Sequence, residues 1–221
     1  MPAAPPWLAT PPDDREVHAR NLSPLQRVSR AVQVYMFLLL SPAFAVDATV
    51  WAELARVQKL EAHFEQVQTR KVLKQPLTSH GTVSYDRPKS ALLWQVTDPA
   101  KSTFSLIGAV AKMDYPDLGM SDTIDLAQVP DANRIASSML VWMKADASAV
   151  SRDFDVTYSA EAAALKPKDK TLAGLLAEIR IQFTPGPWRV RGVDLVEPDG
   201  DLVHIVFSGV KLDGVPVVDP K

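Results

Sequence analysis

Residues 77–99 read LTSHGTVSYDRPKSALLWQVTDP, and this stretch carries the central strand pattern of the chain. Val83 and Tyr85 share one parity, so their side chains lie on the same face of a strand. Pro88 ends that strand, and residues 89–90 form a turn. The second strand places three apolar side chains on one face: Leu92, Trp94 and Val96. The stretch therefore predicts an antiparallel hairpin with one apolar face.

Arg87 continues the parity of Val83 and Tyr85, so a charged side chain ends an apolar row. One interpretation places its head group in solvent at the end of the strand, because charged side chains are rarely buried without a partner. The other places Arg87 at the mouth of an apolar cavity. The residue pattern by itself leaves both interpretations open.

The composition is that of a globular domain with an extension. The chain has 221 residues, of which 47% are hydrophobic and 23% charged, and its formal net charge is -2. There is no basic excess, so nucleic acid is not an expected partner. The sequence contains no cysteine, which rules out disulfides, thiol catalysis and metal sites that use cysteine.

The first 45 residues are predicted to lie outside the fold. Residues 1–26 are rich in proline and lack apolar periodicity, which indicates a disordered leader or a misassigned start codon. Residues 27–45 combine Arg27 and Arg30, the apolar run AVQVYMFLLL and a small-residue end at Ala43 and Ala45, as in a secretory signal peptide. The apolar run is much shorter than the about 20 residues that span a membrane. We expect cleavage after Ala45 and an exported domain of residues 46–221.

The rest of the chain predicts an α+β fold. A helix is expected to begin near Asp47 or Thr49, and a second helix is expected over residues 132–145. About ten short strands occupy most of the remainder. Because the strands follow one another along the chain, the sheet is expected to be antiparallel, with the two amphipathic helices covering its apolar face.

The order of motifs resembles the outer membrane lipoprotein carrier family, LolA, over essentially all of residues 46–221. The resemblance is carried by the hairpin motifs Gly81-x-Val83-x-Tyr85-x-Arg87-Pro88 and Leu92-x-Trp94-x-Val96-Thr97-x-Pro99, by Ala62-x-Phe64-x-Gln66, by Tyr115-Pro116, by Leu165-x-Pro167-Lys168 and by the turn Asp199-Gly200-Asp201. The chain departs from the family pattern at Ile107, where an aspartate is usual. Its hairpin turn after Pro88 also looks one residue longer than usual.

The resemblance implies a strongly curved, half-open antiparallel sheet, an incomplete β-barrel, with helices lying across its concave face as a lid. It implies a periplasmic carrier without cofactor or metal, expected as a monomer. Such a carrier takes the acyl chains of lipoproteins from an inner-membrane transporter and passes them to an outer-membrane acceptor. The position that holds the lid in the family is Arg87 here. A carrier of another lipid, and an envelope sensor that binds lipoprotein, remain as alternatives.

Apolar residues of the hairpin, the next strand and the second helix are candidates to line a lipid-binding cavity. They are Val83, Tyr85, Leu92, Trp94, Val96, Phe104, Leu106, Met139, Leu140, Trp142 and Met143. Plain core packing is the competing interpretation for each of them. Methionine side chains suit flexible acyl chains because they adapt to irregular space.

Catalysis is not expected. The histidines beyond the leader, His63, His80 and His204, have no metal-ligand spacing, and His204 alternates with apolar neighbours so that it is predicted to face solvent. The sequence has no G-x-S-x-G motif and no glycine-rich phosphate loop.

Overall fold

The computed structural model describes residues 46–129, 141–184 and 189–217. The predicted leader, the predicted signal peptide and most of the predicted second helix lie outside the described residues. Within them, the strands are β1 (Lys59–Thr69), β2 (Leu77–Asp86), β3 (Ala91–Asp98), β4 (Ser102–Ile107), β5 (Val110–Tyr115), β6 (Met120–Asp125), β7 (Phe154–Tyr158), β8 (Ala162–Pro167), β9 (Glu178–Thr184), β10 (Arg189–Val196), β11 (Leu202–Leu212) and β12 (Val215–Pro216). The helices are α1 (Thr49–Leu54), α2 (Val141–Lys144), α3 (Ala147–Asp153) and α4 (Lys170–Ala173), with 3-10 turns at Pro116–Leu118 and Leu126–Gln128.

All twelve strands belong to one antiparallel sheet in the order β6-β5-β4-β3-β2-β1-β11-β10-β9-β8-β7, with β12 paired to β11. The described strands do not close into a barrel, because β6 and β7 stand at opposite ends of this order. The prediction of a half-open antiparallel sheet with few helices is therefore confirmed. None of the described helices is long and apolar enough to cross a membrane.

The register aligns apolar side chains from strand to strand across one face of the sheet. Val83 of β2 pairs with Trp94 of β3, which pairs with Phe104 of β4. Tyr85 likewise lies opposite Leu92. Because side chains alternate between faces along each strand, these pairs build a continuous apolar surface.

Turn chemistry sets the ends of the elements. In the β2–β3 turn the N–H of Ser90 donates to the carbonyl of Arg87 at 3.0 Å, and Ser90 itself has a positive φ of 47°. The β4–β5 turn places Gly108 at φ 59°, a conformation that glycine adopts without steric cost. Asp146 caps α3 by accepting hydrogen bonds from the N–H groups of Ser148 and Ala149.

The apolar face is buried in two clusters. The first core cluster joins β7–β10 to α1 and α3, and Trp51 of α1 packs edge-on against Phe183 of β9 with ring centroids 6.1 Å apart. The second core cluster joins β1–β5 to β11, and Phe64 stacks on Trp94 with centroids 4.2 Å apart. Met143 of α2 packs against both clusters. The two helices α1 and α2 therefore lie against the apolar face.

The described elements differ from the sequence prediction in number and at one edge. The sheet has twelve strands where about ten are predicted. The additional edge strand β6 lies in a segment without clear periodicity, and all six of its residues are exposed. A strand with no buried face leaves no alternating pattern to detect.

Candidate functional site

The guanidinium of Arg87 binds main-chain carbonyls from two separate helices. Its Nε donates to the carbonyl of Val57 at 2.8 Å, and Nη2 donates to that of Leu54 at 3.3 Å, at and just beyond the end of α1. At the end of α2, Nη1 donates to the carbonyl of Lys144, and Nη2 donates to that of Met143 at 3.4 Å. The last carbonyls of a helix lack intrahelical partners and carry partial negative charge, so a cation fits there. We call this arrangement the Arg87 clasp.

The hairpin turn fixes Arg87 in this position. Its backbone N–H donates to the carbonyl of Gln58 at 2.8 Å, which ties the turn to the segment between α1 and β1. Its guanidinium carbon lies 5.6 Å from the ring centroid of Tyr85, within range of a cation–π interaction. These contacts exclude the interpretation of Arg87 as a charge solvated at a strand end.

A narrow apolar cavity lies beside the clasp. It is lined by Leu54, Val57, Leu60, Ala62, Tyr85, Arg87, Met143, Arg189, Val190, Phe207, Val210 and Leu212. The space open to the centre of a water molecule is about 50 Å³. Ligand pockets typically measure about 300–1,000 Å³. The described cavity is therefore smaller than a typical ligand pocket, and the ends of α1 and α2 lie beside it.

Only some of the residues predicted to line a lipid-binding cavity line this one. Tyr85, Arg87 and Met143 line it. Other predicted liners are in the second core cluster, either buried or partly buried against it: Val83, Leu92, Leu106, Trp94, Val96 and Phe104. Met139, Leu140 and the side chain of Trp142 lie outside what the structure describes.

Sequence reasoning missed the liners contributed by β11. Val203, Ile205 and Phe207 alternate regularly, but the register of β11 against β1 shifts between Glu61 and His63. Gly209 adopts a φ of 58° at this irregularity. After the shift, Val210 and Leu212 reach the same cavity as Phe207. A bulge of this kind changes parity along the strand, and the glycine was the available signal for it.

The Tyr85 hydroxyl keeps its proton at neutral pH. Burial raises the pKa of Tyr85, and the nearby charge of Arg87 opposes that rise. The hydroxyl is therefore a hydrogen-bond donor at the cavity wall in the pH range of the cell.

Polar side chains elsewhere on the sheet form hydrogen bonds or ion pairs with neighbouring residues. The side chain of His204 is 39% exposed, in line with the predicted solvent-facing position, and its Nδ1 lies 2.5 Å from the carboxylate of Asp194 on the adjacent strand. Glu197, Asp199 and Asp201 bring their carboxylates together, and Arg70 lies 3.4 Å from Glu197 and 3.6 Å from Asp201. This acidic cluster is therefore partnered by a cation of the chain itself.

Two short helices cover the apolar face of the open antiparallel sheet, and Arg87 binds the ends of both helices beside a cavity. This arrangement defines a carrier-like fold. The family model described as "Outer membrane lipoprotein carrier protein LolA" matches residues 55–217. The chain belongs to the LolA family.

Solved structures of low sequence identity also match the chain. A putative outer membrane lipoprotein-sorting protein domain from Vibrio parahaemolyticus is 12% identical, with a TM-score of 0.45, over 75% of this chain and 92% of that one. Lipoprotein LppX of Mycobacterium tuberculosis is 11% identical, with a TM-score of 0.42, over 79% of this chain and 100% of that one. The MucA/MucB complex of Pseudomonas aeruginosa is matched at 14% identity and a TM-score of 0.43, over 78% of this chain and 59% of that one. No curated protein matches the sequence significantly.

Proposed function

We propose that this protein is a periplasmic carrier that binds the acyl chains of lipoproteins in an apolar cavity and carries them from the inner to the outer membrane. The observation that carries the proposal is the Arg87 clasp, which holds the ends of α1 and α2 over the cavity. Membership of the LolA family supports the same function.

Cargo enters this cavity only if the helices move away from the sheet. The closed space of about 50 Å³ is too small for acyl chains. Each CH₂ group of an acyl chain contributes about 0.8 kcal/mol when it is buried, so acyl chains as long as those of lipoproteins supply a large driving force for binding. Opening the clasp gives up hydrogen bonds to a charged group, each worth about 1.5–3 kcal/mol. The clasp therefore lowers the net affinity and favours release, as a carrier requires.

The proposal includes export and two membrane partners. The signal peptide of residues 27–45 would direct the chain to the periplasm, with cleavage after Ala45 leaving a mature domain of residues 46–221. An inner-membrane transporter would supply the cargo, and an outer-membrane acceptor would receive it. Amino-terminal sequencing of periplasmic material should give Val46 as the first residue, and an exported protein that keeps residues 1–30 would contradict this.

A displacement assay tests the carrier function directly. The protein should enhance the fluorescence of an apolar dye, and a triacylated lipopeptide should reduce that signal in a saturable way. The same peptide without acyl chains is the matched control and should leave the signal unchanged. A dye signal indifferent to lipopeptide, monoacylglycerol and fatty acid would overturn the proposal.

A further inference from the structure

The edge strand β6 ends the sheet on one side and is open to solvent. It pairs with β5 over six consecutive residue pairs, from Val110 opposite Asp125 to Tyr115 opposite Met120, with no shift of register. It is the first strand in the order of the sheet, so no other described strand lies on its outer side. All six of its residues are exposed. The outer edge of β6 is therefore accessible to a further strand.

Three residues of β6 direct their main-chain groups away from the sheet. The N–H of Leu126 donates to the carbonyl of Ala109 at 2.8 Å, one step beyond the end of the β5–β6 ladder. Hydrogen-bonded and non-hydrogen-bonded pairs alternate along an antiparallel ladder. The N–H and C=O groups that face outwards are therefore those of Ser121, Thr123 and Asp125. Main-chain groups at an open edge are a template for pairing with another chain.

The strand β6 lacks several features that shield an edge strand. Lysine, proline, a bulge or a very short length usually prevents such a strand from pairing with other chains. Residues 120–125 read MSDTID, with no lysine and no proline, and their register with β5 carries no bulge. The apolar side chains of Met120 and Ile124 share one face of the strand and are 55% and 46% exposed. An added strand would cover them, so a partner gains apolar contact besides main-chain hydrogen bonds.

The charge around β6 favours a basic partner. Residues 113–129 contain four aspartates and no lysine, arginine or histidine. Asp114 is paired with Lys112 at 2.9 Å, whereas no cation among the described residues forms an ion pair with Asp122 or Asp125. Two copies of β6 that paired with each other would bring like charges close together, which opposes pairing. The charge therefore disfavours a second copy of this chain and favours a segment with basic side chains.

We propose that the outer edge of β6 is a docking site for another protein, which adds an extended basic segment to the sheet as a further strand. The outward main-chain groups of β6 hold that segment by hydrogen bonds. Its basic side chains pair with Asp122 and Asp125, and its apolar side chains cover Met120 and Ile124. This docking site lies outside the cavity beside the clasp, so it can be tested independently of cargo binding.

A short peptide tests the docking site on the full chain. The probe is fluorescein-labelled Lys-Val-Thr-Lys-Thr-Val-Lys, which reads the same in both directions and so places its central lysine beside Asp122 in either strand orientation. We expect saturable binding by fluorescence polarisation, and slower exchange of the three outward amide hydrogens of β6 by nuclear magnetic resonance. The matched peptide Glu-Val-Thr-Glu-Thr-Val-Glu should bind about tenfold more weakly or not at all. No binding of the basic peptide, or equal binding of both peptides, would overturn the proposal and leave the carrier function intact.

A proline variant assigns the binding to the main chain of β6. Thr123→Pro removes one outward N–H and places a ring there, while the hydrogen bonds between β6 and β5 are kept. It should weaken binding of the basic peptide about tenfold. Thr123→Val keeps the N–H and is the matched control, with binding equal to that of wild type. Unchanged binding in Thr123→Pro would contradict strand addition. A wild-type dimer in sedimentation that Thr123→Pro abolishes would make a second copy the occupant and would also overturn the proposal.

Asparagine variants test the charge and do not depend on the proline variant folding. Asp122→Asn combined with Asp125→Asn removes both charges of β6 and should weaken binding of the basic peptide about three- to tenfold. Asp155→Asn is the control, because Asp155 is an exposed aspartate on β7, at the opposite end of the sheet. Equal weakening by Asp155→Asn would show a general attraction to the acidic protein and would contradict a site at β6.

Discussion

The half of the sheet formed by β7–β10 and the half formed by β1–β5 bury their apolar faces to different depths. In the first, Ile179, Ile181 and Phe183 have no exposed surface. In the second, the buried residues retain more, such as 6% for Leu106 and 9% for Ala111, and the large side chains of Tyr85, Trp94 and Phe104 are only partly buried. Close packing gives rigidity, while looser packing leaves room to rearrange. The comparison indicates that the β7–β10 half is the more closely packed of the two, and that the β1–β5 half has more room for its side chains to rearrange.

The largest expected effect separates the two halves by stability. Phe183→Ala removes a fully buried ring from the first core cluster and should lower the free energy of unfolding by about 3–5 kcal/mol. Phe104→Ala, in the second core cluster, should cost clearly less because that ring is only partly buried. Denaturant unfolding measures both. Equal losses in the two variants would remove the distinction between the halves.

Of the described glycines, Gly81 is the one where an added Cβ would meet its neighbours at the shortest distance. A Cβ at this position would lie 1.9 Å from the carbonyl oxygen of Gln95 and 2.7 Å from Cζ of Phe64. Gly81→Ala should therefore destabilise the protein by about 1–3 kcal/mol, since the strands or the Phe64 ring must shift. Gly174→Ala is the control, with its nearest contact at 3.3 Å, and should have little effect on the unfolding midpoint.

Arg87→Leu should separate loading from release. The variant loses the clasp and adds apolar surface, so it should load labelled lipopeptide at least as well as wild type. It should also retain several-fold more of that cargo after acceptor vesicles are added. Arg87→Lys should be intermediate, because a point charge cannot reproduce the planar fork. A two-step transfer assay measures both stages. Wild-type loading and release in Arg87→Leu would remove the clasp from the mechanism.

The smallest expected effect concerns Ser79, which is 6% exposed on β2. Its hydroxyl has no hydrogen-bond partner in the described part of the chain. A buried hydroxyl without a partner costs free energy, so Ser79→Ala should raise the free energy of unfolding by about 1 kcal/mol. Ser84→Ala on the same strand, where the residue is half-buried, should change stability little. A loss of stability in Ser79→Ala would indicate that the hydroxyl is bonded.

The sequence was most informative where one strand face is buried. The central hairpin is found where its apolar alternation predicts it, as Leu77–Asp86 and Ala91–Asp98. The edge strand Met120–Asp125 was not predictable, because all of its residues are exposed and it leaves no period to detect.

The site was predictable only in part because its wall comes from elements far apart in the chain. Arg87 and Tyr85 belong to the hairpin and could be named from it. Phe207 and Val210 reach the same wall only because β11 pairs with β1 through an irregular register. Sequence spacing within one strand does not specify which distant strand lies beside it, nor where a bulge reverses parity.

The acceptors of the Arg87 clasp are all main-chain carbonyls, of Leu54, Val57, Met143 and Lys144. Every amino acid carries this group, so substitutions at these four positions do not delete a partner. A change of side chain at these positions therefore leaves the hydrogen bonds themselves intact, although the side chains of Leu54, Val57 and Met143 also line the cavity. Selection for these hydrogen bonds should therefore fall on the side chain of Arg87, and a mutational scan should find Lys144, which is not among the lining residues, far more tolerant than Arg87.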